Sequence, residues 1–487
     1  MDYAGMRKQG EMRMRQGFNP YLPSWEYIPD GEPHVFGDRV YVYGSHDRFN
    51  GHAYCLNDYV CYSAPVDDLK DWRYEGVIYP RGEDPLNKDG DQCLYAPDVC
   101  RGADGRYYLY YVLDASSVVS VAVCDTPAGR YRFYGYVKDA DGGLLGQRPS
   151  DEPMFDPGVL CEDGAVYLYG GFCPGPGSPW AGRSGATVTV LGPDMLTITQ
   201  EPRFVVPSVQ RSIGTGFEGH EYFEAASIRK AGDTYYFIYS SIRMHELCYA
   251  TSTSPVEGFV FRGTIVSNID EGIDSRGAIG RQVNFPDNNH GSIEKIGDTW
   301  YVFYHRHTNG SGFSRQGCLE PVRILEDGSI PQAEITSCGP NGGPLRGEGT
   351  YPAYIACYLI CDVKDPIGLG TPWKKLDSRV PYITQDGKDG DKLQGYIANM
   401  DPGVMAGFKF FDCHGSRLTA VVTRGWCWGE MEVLTSPDGE SLGSIPVEKS
   451  NEWREWTGEV RIPDGVHALY LRFSGSGCAN LYSFTLS

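Results

Sequence analysis

The sequence predicts an all-β protein, a five-bladed β-propeller followed by a β-sandwich of jelly-roll type. Three observations predict it. A Gly/Asp turn followed by an aromatic-rich strand occurs five times, at "GDRVYVYGS", "DGRYYLYYV", "DGAVYLYGG", "GDTYYFIYS" and "GDTWYVFYH". The matching aromatics, Tyr41, Tyr108, Tyr167, Tyr236 and Tyr301, recur every 59 to 69 residues. Composition agrees: 34 Tyr and 62 Gly among 487 residues, with little helical periodicity, mark a β-rich globular chain.

The elements follow in chain order. Residues 1–18 form an N-terminal extension with basic residues but without the apolar stretch of a secretory signal. Residues 19–335 hold the repeats. Asp-Gly or Gly-Asp ahead of an alternating strand is a hairpin turn that needs φ > 0. About 65 residues hold four short strands and their loops, the content of one propeller blade. Two unrelated β-sandwiches would fill the same length, but they require no constant period. Residues 336–350, within "SCGPNGGPLRGEGTYP", read as a Gly/Pro-rich linker. Residues 351–487 return to short strands, such as "RLTAVVTR" and "VHALYLRFSG", separated by turns such as "SPDGES" and "IPDGVH". This pattern predicts one β-sandwich.

Charge and cysteine content narrow the function classes. A net charge of -20 argues against nucleic acid or an anionic membrane as partner. No run of 18 apolar residues exists to cross a membrane as a helix. The 15 cysteines lack the spacing of a zinc site and predict reduced, mostly buried thiols in a cytoplasmic protein. A homo-oligomer is compatible with all of this. "PLNKDGDQ" has Pro85 and Ala96 where an EF-hand loop needs its first and twelfth ligands. "GGFCPGPGSPW" lacks the Lys-Ser/Thr of a phosphate loop and reads as a long rim loop.

In a propeller the innermost strands line a central channel, so side chains distant in sequence meet at its mouth. Asp30, Asp156 and Glu224 lie 11, 11 and 12 residues ahead of their blade's repeat aromatic. Asp98 lies 10 ahead in the second repeat, and His290 lies 11 ahead in the fifth. An acid beside Pro or Gly is ordinarily a turn residue. Five polar residues in register point instead to a shared site.

The stretches "PDGEPHVFGDRVYVYGSHD", "YAPDV", "FDPGVL", "FEAASIRKAGDTYYFIYSS", "NNHGSIEKIGDTWYVFYHRH" and "FSRQGCLEPVRI" together resemble glycoside hydrolase family 43 over about residues 19–330. That resemblance implies a five-bladed propeller, an inverting mechanism and three essential acids. It makes Asp30 the general base, Asp156 the acid that tunes and orients, and Glu224 the general acid. One departure stands at the first site. The family often reads Asp-Pro-Glu or Asp-Pro-Ser there, whereas this chain reads Asp30-Gly31-Glu32-Pro33, which leaves Glu32 as the alternative base. Inversion needs a base that activates water on one face of the sugar and an acid that protonates the leaving oxygen on the other. Their pKa values must be pushed apart, and a third carboxylate beside the acid raises its pKa.

The resemblance also implies substrate contacts from Arg315. It matches His290 to a histidine near the channel centre that in some relatives helps hold calcium or another ion; a histidine hydrogen-bonded in the channel is the alternative. Asp98 is expected to support the substrate site. Trp25, Tyr95, Phe223 and Tyr222 are candidates for a stacking wall, against the alternative of core aromatics. No cofactor is required, and calcium is expected only in a structural place, near the propeller centre or in the C-terminal domain. The C-terminal region is similar to family 6 carbohydrate-binding modules at "GEMEVLTSPDGESLGSIPV", "EWREWTGEVRIPDGVHALYLRFSG" and "ANLYSFTLS". Trp426, Trp428, Trp453, Trp456 and Asn480 would build a glycan platform there; packing against the propeller is the favoured alternative. The expected activity is exo-hydrolysis of terminal α-L-arabinofuranosyl, or β-D-xylosyl, residues of plant-derived oligosaccharides. A β-D-galactofuranosidase and a non-catalytic glycan-binding propeller are the alternatives.

Overall fold

Each repeated turn joins the first two strands of an antiparallel sheet. The computed structural model describes residues 16–175, 178, 181–273, 287–362 and 380–487. The N-terminal extension falls mostly outside them, and the Gly-rich rim loop falls partly outside. Blade one is built from Glu32–Phe36, Arg39–Tyr43, Tyr59–Pro65 and Arg73–Tyr79, hydrogen-bonded in chain order. Blades two, three and four repeat this meander, starting from Asp98–Arg101, Gly158–Glu162 and Tyr222–Ala231. Blade five has three strands, Ile293–Ile296, Thr299–His307 and Arg315–Val322. The N-terminal segment runs beside its last strand. Tyr21 donates its N–H to the Gly317 carbonyl (3.2 Å), and the Asn19 amide both donates to the Leu319 carbonyl and accepts its N–H, each at 2.9 Å. The chain start thereby closes the ring on blade five.

The five repeat aromatics lie on second strands. Their partners across the first hairpin are His34, Cys100, Leu160, Arg229 and Glu294. Four of these hairpins separate the partners by seven residues, and blade two separates them by eight. The extra residue lies in the turn that Gly102 closes by donating to the Arg106 carbonyl (2.8 Å).

The axis of the propeller is filled by polar contacts between blades. Arg229 of blade four donates to Glu32 of blade one (2.8 Å) and Glu294 of blade five (3.0 Å). His34 of blade one meets Asp98 of blade two at 2.6 Å, and Asp98 accepts the Val159 N–H of blade three at 2.7 Å. Buried charge is tolerated here because each group is paired and hydrogen-bonded. Gly291 lets the blade-five strand enter this crowded axis: a Cβ there would sit 1.9 Å from the Phe303 carbonyl oxygen.

Residues 336–350 do not form a free linker. Leu345–Arg346 pairs in parallel with Phe411 and Asp412, and Leu345 is fully buried in the C-terminal core. Gly and Pro serve here for close packing and not for looseness. The C-terminal domain is a curled sheet dominated by two long strands, Arg417–Leu434 and Gly465–Leu486, which pair along most of their length. It encloses a core that includes Phe408, Phe411, Val421, Met431, Phe473 and Phe484. It packs on blades four and five, where Cys357, Tyr358, Met405 and Tyr470 join Tyr236, Ile238, Tyr304 and Cys318 in one apolar cluster. Lys409, buried in this interface, pairs with Asp270 (2.8 Å) and Glu334 (2.9 Å).

The cysteine expectation is corrected at one pair. Cys100 and Cys161 are disulfide-bonded between the innermost strands of blades two and three; eleven of the other thirteen cysteines are buried. Neighbouring first strands bring the two side chains together, a proximity that sequence spacing does not encode.

Candidate active site

A cavity of about 440 Å³ opens at one mouth of the channel. Asp30, Asp156, Glu224, His290 and Arg315 all line it, together with Tyr95 and Phe223. The three acids reach it by a shared backbone device. Asp30, Asp156 and Ala225 occupy the left-handed region, with φ of 57°, 45° and 66°. Each lies four residues before its hairpin partner. Non-glycine residues in this region cost about 1–3 kcal/mol and cluster at functional sites. In blade four the kink coincides with register shifts on both sides of Glu224, which explains its spacing of 12.

Electrostatics divide the acids. Burial alone would raise the Asp30 carboxyl. Arg315 outweighs it, helped by His305 and His290, and holds Asp30 far below the ordinary carboxylate range. The Arg315 Nη1 donates to Asp30 Oδ1 at 2.9 Å, and His305 Nδ1 lies 3.3 Å from the same oxygen. Asp156 is raised to about 7, first by burial and then by Asp30, against His290 and the Ala225 N–H that donates to it (3.3 Å). Glu224 is raised well above the ordinary range by burial, then by the negative charge of Asp156. His290 sits among the acids, 3.6 Å from Asp156, 3.8 Å from Glu32 and 4.0 Å from Asp30. Burial would lower its pKa, but Glu32, Asp156 and Asp30 raise it to about 9.

Glu32 lies below the cavity and does not line it. It accepts from Arg229 (2.8 Å) and Ser227 (3.1 Å). Asp98 is likewise outside the cavity. The one-residue-longer turn of blade two places it two residues before its hairpin partner, in the register of Glu32, while Ala96 takes the register of Asp30. Asp98, expected to support the substrate site, lies off the cavity and stitches blades at the axis.

Arg315 lines the cavity with its fork engaged by carboxylates. Its Nε and Nη2 donate to Asp47, both at 2.9 Å, and its Nη1 to Asp30. Asp47 ends the quoted "GSHD", and nothing in the sequence marked it. The aromatic wall is a run of rings, Tyr95 on Phe155 (5.2 Å), Phe155 on Phe172 (4.9 Å) and Phe172 on Phe223 (5.6 Å). Phe155 and Phe172 were not expected. Trp25 is not part of the wall: it lies in the turn where Glu26 donates to Pro23, beside Ser24, which contacts the C-terminal domain. Tyr222 is fully buried, with its hydroxyl on the Gly171 carbonyl (3.0 Å). Tyr54, Cys55, Met154, Met244, Asp287 and Asn288 add to the walls from irregular segments.

The donor set for a cation at the channel centre is small. His290 Nε2 and Glu32 Oε1 face each other, and neither has a hydrogen-bond partner among the described residues. A calcium ion there would take these two atoms and complete its shell with water, since it binds six to eight ligands. The Glu32, His34 and Asp98 trio is already served by the Arg229 guanidinium, 3.4 Å from His34. Among the described residues no comparable cluster lies in the C-terminal domain.

On that domain, Trp426 and Trp428 are 62% and 45% exposed and meet edge to face at 5.3 Å. Trp453 packs between Tyr396 and Tyr482. Trp456 donates to Thr423 (2.9 Å), and Asn480 accepts the Asn399 N–H (3.2 Å). Trp456 is thus packed against the C-terminal core, and Trp426 and Trp428 are the exposed pair.

Comparison with known proteins agrees with this geometry. Residues 29–330 match the family model "Glycosyl hydrolases family 43". A "Xylosidase/arabinosidase" of Thermoclostridium stercorarium is 62% identical over 473 residues, 97% of this chain and 99% of its own. An "Arabinoxylan arabinofuranohydrolase" of Bacillus subtilis (strain 168) is 24% identical over 505 residues, 92% of this chain and 88% of its own. Two solved structures share the fold. One is a Bacillus subtilis family 43 arabinoxylan arabinofuranohydrolase in complex with cellotetraose, with a TM-score of 0.52 at 22% identity, covering 96% of this chain and 97% of that one. The other is a family 43 β-xylosidase/α-arabinofuranosidase from a compost microbial metagenome, in complex with xylotriose and in calcium-free form. Its TM-score is 0.50 at 24% identity, covering 64% of this chain and 96% of that one. The chain is a glycoside hydrolase and belongs to glycosyl hydrolases family 43.

Proposed function

We propose that the enzyme is an inverting exo-glycosidase that removes terminal α-L-arabinofuranosyl and β-D-xylosyl residues from plant-derived oligosaccharides. The observation that carries this reading is one cavity in which Asp30 is forced to stay ionised while Glu224 is forced to hold its proton. Asp30 takes a proton from the attacking water, and Glu224 gives one to the leaving oxygen. Asp156 keeps Glu224 protonated through like-charge repulsion and is a positioning residue. Arg315 is another: it fixes the Asp30 rotamer from its own anchorage on Asp47. The aromatic run from Tyr95 to Phe223 offers apolar ring faces for the sugar. A calcium ion at His290 and Glu32 would add a fixed positive charge beneath the acids, and the two proton transfers use protein groups alone.

Support for the sugar comes from the 62% identical relative, whose name joins the xylosidase and arabinosidase activities. The test is a panel of nitrophenyl glycosides with the first-formed anomer read by NMR. The α-L-arabinofuranoside and β-D-xyloside are expected to be hydrolysed with inversion, faster than the β-D-galactofuranoside. A product of retained configuration would remove the inverting reading, and preference for the galactofuranoside would replace the assigned sugar. Activity should persist into acid, where Asp30 is still ionised, and fall in alkali as Glu224 loses its proton.

A further inference from the structure

The cavity wall nearest Asp30 is held from outside the propeller. Residues 46–57 of blade one form an irregular loop that carries Asp47, Tyr54 and Cys55. The C-terminal domain grips this loop. Asp389 accepts the Phe49 N–H at 2.8 Å and the Asn57 side-chain amide at 3.3 Å. The Asn57 amide also donates to the Asp47 carbonyl at 2.9 Å. A second tie runs from Asn50 to Asn309 (2.8 Å) and from Asn309 to Thr384 (2.8 Å). A third joins Gln385 to the hydroxyl of Tyr27 (2.9 Å), whose ring stacks on Phe49.

From the loop the contacts continue inward. Asp47 accepts the Cys55 N–H and three N–H groups of Arg315, and Arg315 donates to Asp30. We propose that segment 383–389 of the C-terminal domain, and Asp389 above all, is a positioning element of the active site, acting through loop 46–57 and Asp47 on Arg315 and Asp30. The role assigned to Asp30 in this inference rests on the function proposed above. A domain that merely tethered the enzyme to polymer would not need three ties to this loop, one direct through Asp389 and two relayed by Asn309 and Tyr27.

A displaced Arg315 changes the aim of Asp30. Asp30 faces Arg315 and His305 of blade five and His290 from the approach to that blade. From the other side it faces Asp156 and Glu224, with the Cys55 thiol and Tyr59 of blade one nearby. Only Arg315 and the two histidines favour its anion. Weakening the Arg315 contact therefore frees the Asp30 side chain to leave its place in the cavity, and turnover falls while substrate binding by the aromatic wall is kept.

The experiment compares Asp389→Ala, Asp389→Asn and Glu334→Gln in the full chain on the better nitrophenyl glycoside. Asp389→Ala should lower kcat/KM about 10-fold, within the range for a small misplacement of a reacting group, with the loss carried by kcat and KM little changed. Asp389→Asn keeps an acceptor for the Phe49 N–H and should restore most of the loss. Glu334→Gln loosens the same domain interface at Lys409, away from the loop. It should lower Tm while leaving kcat and KM in place. Parental kcat/KM in Asp389→Ala would overturn the inference, as would a loss carried by KM alone, or Glu334→Gln reproducing its losses. Asp30→Asn measured in parallel separates the two readings: retained turnover there overturns the base assignment, whatever Asp389 shows.

Discussion

Glu224→Gln is expected to lower kcat on a disaccharide by about 10²–10⁴-fold, the usual contribution of a positioned general acid. The loss should shrink on a dinitrophenyl glycoside, whose leaving group departs without protonation. The basic limb of the pH profile should vanish with it. Stability should move the other way. Burial and the charge of Asp156 raise the Glu224 pKa, so the folded chain keeps a proton that the unfolded chain releases near pH ~4.3. Above that pH, each further unit costs the folded state about 1.4 kcal/mol until the raised pKa is passed. Gln carries no such penalty and keeps the shape and a donor. Tm at pH 7 should therefore hold or rise while turnover collapses. Parental kcat on both leaving groups would remove Glu224 from this role.

The fold was legible because the hairpin turn and the alternating strand are local signals, and five copies at one period leave few architectures. The cavity acids were legible for the same reason: they keep a fixed offset from the repeat aromatics. Where the offset misled, a backbone irregularity is responsible. The longer turn of blade two shifted Asp98 into the register of Glu32. The register shifts of Tyr222–Ala231 carried Glu224 to the mouth in spite of its longer spacing. Asp47, Tyr54, Phe172 and Asp389 had no such offset to betray them. They lie on irregular segments whose positions follow from long-range packing, and packing against a second domain is not written in any local pattern. Residues 336–350 show the converse. Their Gly and Pro content is a local signal for looseness, yet the burial of Leu345 in the neighbouring core overrides it.

Asp30→Asn and Glu32→Gln should separate into a catalytic and a structural phenotype, although the two acids are two residues apart. Asp30 lines the cavity and is held ionised by Arg315. Its amide cannot take a proton from water, so kcat should fall at least as far as in Glu224→Gln, and on every leaving group, because water must still be activated when the aglycone leaves unaided. Glu32 lies beneath the cavity and closes an ion pair with Arg229, which also pairs with Glu294. Burial opposes its charge, but Arg229 and then His290 and His34 lower its pKa. A carboxylate whose folded pKa is lowered stabilises the fold above its unfolded pKa, and that contribution is lost as pH falls through the folded value. Glu32→Gln should therefore cost stability at neutral pH, on the order of 3 kcal/mol for a broken buried pair. The gap to the parent should close in acid. Turnover per folded molecule should stay within about 10-fold of the parent, less than the loss for a proton-transfer group. The reverse pattern, a stable but inactive Glu32→Gln beside an active Asp30→Asn, would move the base to Glu32. Denaturant unfolding at pH 7 and pH 4, run beside kcat on two leaving groups, reads both phenotypes at once.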